Sequence, residues 1–247
     1  MTKTSLPIRI TPHSLLATLV AVGYTPRENT EVACAAFTEA LQKAGFTDES
    51  QLAETLAEPG NAGDSLFRGQ QISLQVQKKV LIFNSAKVNG SNAPDSAEPP
   101  DIYLGWQQYF PIICQVVSLL QATEQVAGFS SIAVRYINAL PNLPLNDQLR
   151  VKLPPLGVLP NPASTFYRAT FADVTGFEVV LSLADGQRVA GRTGPQSVFD
   201  ITVRTPTAGL DTAALFRRID EAHTCEKQVF FGLLDPSYLA SLQPEYV

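Results

Sequence analysis

Ten residues, Ser131-Ile-Ala-Val-Arg-Tyr-Ile-Asn-Ala-Leu140, closed by Pro141, put an arginine, a tyrosine and an asparagine inside an otherwise apolar run. Such a run reads as a strand, and its period of two sends Ile132, Val134, Tyr136 and Asn138 to one face and Ala133, Arg135 and Ile137 to the other. Each face then mixes apolar with polar groups. A buried guanidinium is tolerated only when paired, so Arg135 calls for a carboxylate or several carbonyls nearby, or for an open face with a ligand on it.

The chain has 247 residues, 45% hydrophobic and only 17% charged, with a net charge of −5. Length alone lets it hide about 70 to 75 per cent of its unfolded surface, so neither metal nor disulfide is needed for folding. The acidity is local: residues 28–64 carry eight acids against Lys43. That pattern reads as a solvated helical face, or as a docking surface for a basic partner. Nucleic acid is disfavoured as a partner, because Arg168, Arg188, Arg192 and Arg204 are balanced by Asp173, Glu178, Asp185 and Asp200. Cys34, Cys114 and Cys225 lie far apart in apolar or alanine-rich surroundings, which suits reduced thiols and a cytoplasmic setting. The apolar run at 14–24 imitates a secretory signal but lacks its cleavage site, and no stretch approaches the ~20 apolar residues that span a bilayer.

Along the chain, residues 15–24 read as a strand ending at Pro26. A helix follows from Thr30 as cap through 32–44, with Gly45 as its stop, and a second short helix is expected at 50–58. Residues 74–84, with Lys78 and Lys79, suggest one strand with a wet face. Residues 85–100 form a solvated loop, and a helix opening at Asp101 carries Trp106, Tyr109, Phe110, Ile113, Val116, Val117 and Leu120 at helical spacing, with Pro111 inside it. Six prolines between Pro141 and Pro162 make a rigid connector. The chain is therefore expected to divide into an N-terminal α+β lobe at 1–140, this connector at 141–162, and a C-terminal lobe at 163–247.

In the second lobe, strands are expected at 166–174 and 177–183, a type I′ hairpin turn at Asp185-Gly186, and a further strand at 198–205. A helix capped by Asp211 closes the chain. Runs of strands with single long helices, rather than βαβ repeats, favour an α+β class: antiparallel sheets covered by long helices, in two similar lobes.

His223 is one of two histidines, with Asp220 and Glu226 three residues to either side on its helix. A carboxylate beside an imidazole fixes its tautomer and raises its basicity, as a general base would require. Against a catalytic reading, no triad, zinc-finger, HExxH or phosphate-loop spacing is present, so no catalytic residue, metal ligand or cofactor is assigned. Arg135, Tyr136, Asn138, Asp220 and His223 are left as a ligand-binding or structural network, with Asp200 or Asp220 as the expected partner of Arg135.

The order of a short first strand, Leu74-Gln-Val-Gln77, a helix with Tyr103 and Trp106, Val134-Arg-Tyr-Ile-Asn138 followed by proline, and a late helix with His223 and then Phe230 resembles one family. It is a sporadically distributed family of bacterial proteins of about this chain's length, of unassigned function. Its patchy occurrence implies horizontally moved systems such as antiviral defence or toxin–antitoxin pairs. The sequence thus favours a non-enzymatic subunit that binds another protein. A small-molecule or anion sensor, or an enzyme, working from a His223, Asp220 and Arg135 cleft stands as the alternative.

Overall fold

The computed structural model describes residues 6–8, 10, 14–49, 65–69, 72–85, 105–141, 145–150, 165–190 and 192–246. In chain order these form β1 (Leu15–Pro26), α1 (Thr30–Lys43), β2 (Thr47–Asp48), β3 (Ser65–Gly69), β4 (Ile72–Gln77), β5 (Val80–Asn84) and α2 (Trp106–Ala122). Then come β6 (Val126–Pro141), α3 (Leu145–Gln148), β7 (Phe166–Val174), β8 (Phe177–Gln187), β9 (Gln196–Pro206), α4 (Thr212–Leu233) and α5 (Pro236–Ser241). The expected helix at 50–58, residues 86–100 of the expected loop and residues 142–144 and 151–162 of the expected connector lie outside the described residues; within the connector, Leu145–Gln148 form the short α3.

The strands join in one nine-stranded antiparallel sheet, in the order β2-β3-β4-β5-β1-β6-β9-β8-β7. This corrects the expectation of separate antiparallel sheets covered by long helices in two similar lobes. A hydrophobic period of two reports that a strand has a buried face, not which sheet it joins. Three strands, β1, β6 and β9, each supply residues to both of the compact units into which the chain divides. One unit comprises residues 1–17, 134–204 and 221–247, the other residues 18–133 and 205–220.

In the unit of 18–133 and 205–220, α1 starts at Asn29, whose side chain accepts a hydrogen bond from the Glu31 N–H at 2.8 Å. That satisfies one of the donors a helix start leaves over, and Asn29 does the work expected of Thr30. The helix stops before Gly45, which takes the positive φ of 86° expected of a C-terminal glycine. Ala33, Phe37 and Leu41 of α1 and Ile113, Val116, Val117 and Leu120 of α2 are buried, as are Val20, Val22, Phe67, Leu74, Val76, Leu81 and Phe83 of the strands. Pro111 lies inside α2, which begins after Gly105. The strand expected over 74–84 is in fact a hairpin: Gln77 pairs with Val80, and Lys78-Lys79 form its two-residue turn.

In the other unit, β7 and β8 are joined by a two-residue turn at Thr175-Gly176, with Val174 paired to Phe177. Both turn residues have positive φ, 53° and 80°, as a type I′ turn requires. The Asp185-Gly186 step makes no turn. It is the site of a register shift within β8, between the pairs Ala184–Val198 and Gln187–Gln196. Gly186 there has φ 65°, because a bulge needs the same conformational freedom as a hairpin turn.

Candidate functional site

Within the unit of 134–204 and 221–247, β6 shows the alternation its sequence implies: Val134, Tyr136 and Asn138 are buried, while Arg135 and Ile137 are half-exposed. Arg135 is bound to Asp200 of β9 by two parallel hydrogen bonds, Nε to Oδ1 at 2.8 Å and Nη2 to Oδ2 at 2.7 Å. The carboxylate raises the guanidinium's proton affinity, against a smaller opposing effect of burial. Of the two partners foreseen for Arg135, Asp200 is the one that holds it.

On the opposite face of β6, the Ser14 hydroxyl donates to Asn138 Oδ1 at 3.0 Å, and the Ala139 N–H donates to the Ser14 carbonyl at 2.7 Å. The asparagine thus ties Ser14, the residue before β1, to β6. The Tyr136 ring lies 5.4 Å from the His223 imidazole, tilted by 35°. His223 projects from α4, and further along the same helix Phe230 packs edge-on against Phe199 of β9 at 5.9 Å.

Burial first, and the Lys227 charge second, push the His223 imidazole down from 6.5 to about 3. It is neutral at neutral pH, and a base this weak is poorly matched to proton abstraction there. One turn on, burial pushes the Glu226 carboxyl up from 4.5 to about 8, with Lys227 opposing, so this group is protonated at neutral pH. Its Oε1 is buried with no hydrogen-bond partner among the described residues. Glu226 is the residue that reading the sequence underrated. It stood out only as a flank of His223, and its burial follows from sharing the stripe of Ile219, Ala222 and Phe230.

Asp220 belongs to the other unit, where it accepts a hydrogen bond from Trp106 Nε1 at 2.7 Å. The indole stacks on Phe110 at 5.2 Å and meets Tyr109 edge-on. The Cys114 thiol is pushed up to about 11, by burial and then by the Asp220 charge, which leaves it an unreactive thiol at neutral pH.

The five residues singled out from the sequence therefore divide among four contacts. Arg135 is engaged with Asp200 on one face of β6, Tyr136 with His223 and Asn138 with Ser14 on the other, and Asp220 with Trp106. Among the described residues no group of histidine, cysteine and carboxylate side chains could hold a metal ion. Among them, too, no helix is long and apolar enough to cross a membrane. No protein-family model matches the chain, and no curated protein matches it either.

Proposed function

We propose that the protein is a non-enzymatic interaction subunit that docks another protein by strand addition along β7. The observation that carries this reading is the state of the sheet's two ends. β2, at one end, is two residues long and offers no template. β7, at the other, is nine residues long, contains neither lysine nor proline, and exposes Phe166 at 70% and Phe171 at 44%. Edge strands are ordinarily blunted by brevity, lysine, proline or bulges, because their outer N–H and C=O groups will pair with any extended chain. β7 has a register shift between Phe171 and Val174, and within its regular ladder a single charged side chain, Arg168. Phe166 to Phe171 pair regularly with Ala184 to Val179 and leave a six-residue ladder edge that no other described strand occupies. Recognition by strand addition draws affinity from main-chain hydrogen bonds and specificity from alternate side chains.

The test combines Phe166→Lys with Thr170→Lys, two exposed positions on one face of β7. Lysines there discourage pairing without entering the core. Partner captured by the full chain from its native cells should protect the amides of residues 166–171 from hydrogen exchange. The doubly substituted chain, folded by circular dichroism, should lose at least about tenfold in affinity for that partner. Unchanged affinity, or protection confined elsewhere, would rule the reading out.

A further inference from the structure

We infer that the strand accepted by β7 carries a carboxylate opposite Arg168 and an apolar side chain two residues away, opposite Phe166. This rests on the docking reading above and adds the chemistry of the partner segment. One row of side chains crosses four strands of the sheet. Arg168 of β7 pairs in register with Ser182 of β8, and Ser182 with Asp200 of β9. Asp200 in turn holds Arg135 of β6 in a two-pronged ion pair.

The row thus reads arginine, serine, aspartate, arginine, and its acid is already matched by the inner arginine. Arg168, at the open end, is exposed and has no ion-pair partner among the described residues. The two neighbouring strands of the same face carry a second matched pair, Arg204 with Glu178. Among the described residues of this row, Arg168 is the one whose charge is left over, at the position where the next strand would lie.

Residues directly opposite on neighbouring antiparallel strands bring their Cβ atoms within about 5 Å, where opposite charges attract and like charges repel. An added strand therefore gains from aspartate or glutamate facing Arg168 and loses from lysine or arginine there. Phe166 lies two residues away on the same face, so the position two residues from the acid is rewarded for being apolar. The register shift after Phe171 ends the regular ladder, which confines recognition to these six residues. The occupant is an extended, acidic-then-apolar segment of a protein partner.

The probe is a pool of nine-residue peptides with alternating threonine and valine, randomised at the positions of one face, selected on the full chain. Peptides recovered should be enriched at least about fivefold in aspartate or glutamate at one randomised position, with an apolar residue two positions away. Selection on Arg168→Glu should shift that position to lysine or arginine. Recovered peptides that protect 166–171 but show no charge preference, or the same preference on Arg168→Glu, would overturn the inference while leaving strand addition standing. No recovery, or recovery undiminished by Phe166→Lys with Thr170→Lys, would overturn both.

Discussion

Arg135 and Asp200 form a two-pronged pair between neighbouring strands, yet the side chains keep 41% and 25% of their exposure. Solvent screening at that exposure holds such a pair near the top of the range for surface salt bridges, about 1 kcal/mol. Arg135→Ala should therefore cost about that much, read as a lower urea midpoint at unchanged slope. Arg135→Lys should recover less than half of the loss, because an ammonium cannot reproduce the planar fork. A wild-type midpoint in Arg135→Ala would mean that the pair fixes nothing. Glycine at 69 gives a second measure at this scale: a Cβ there would stand 2.5 Å from Phe46 Cε1, inside van der Waals contact with a ring. Gly69→Ala should cost about 1 to 3 kcal/mol by the same titration, as overpacking does. Of these two features, the need of Arg135 for a partner was legible in the sequence, because a charge in an apolar strand must be neutralised. The Gly69 contact was not, since nothing local says that Phe46 will fold back over β3.

Beside the Tyr136–His223 contact, the late helix meets the sheet through Phe230 and Phe199, both rings buried and set edge-on. Phe230→Ala should destabilise by about 3 to 5 kcal/mol, the range for removing a buried aromatic ring. Loss of less than about 1 kcal/mol in guanidinium unfolding would show that α4 is held by other contacts. Much of α4 could be read beforehand, including its cap: Asp211 Oδ1 accepts from the Ala214 N–H at 2.7 Å. The strands were harder. Asp185-Gly186 and Thr175-Gly176 offer the same glycine freedom, and only pairing across the ladder makes one a bulge and the other a turn. Lys78-Lys79 carries no turn residue, so the β4–β5 hairpin left no local mark and 74–84 read as a single strand.

For the whole molecule, strand order was the feature most hidden, because β1 enters between β5 and β6 and β9 between β6 and β8. Those neighbours are chosen by long-range packing, which periodicity does not encode. The buried groups on α4 give the fold a pH dependence whose shape can be stated. As pH falls below 6.5 the unfolded chain takes up a proton at His223, which the folded chain accepts only near 3, so stability declines over that window. Glu226 acts in the opposite sense. Between 4.5 and about 8 the unfolded chain releases a proton that the folded chain keeps, so stability declines as pH rises through that window. Burial also lowers the proton affinity of the Lys227 ammonium, against the opposing Glu226 charge. Where the two windows overlap, from 4.5 to 6.5, the effects offset, and the melting temperature should form a plateau that falls away on both sides. Glu226→Gln keeps the shape and removes the charge, so it should abolish the decline between 6.5 and 8 and leave the acid limb in place. His223→Gln should do the reverse. Melting curves by circular dichroism from pH 3 to 9 decide the matter: an alkaline limb that persists in Glu226→Gln would mean that the carboxyl is ionised, and already matched, in the folded chain.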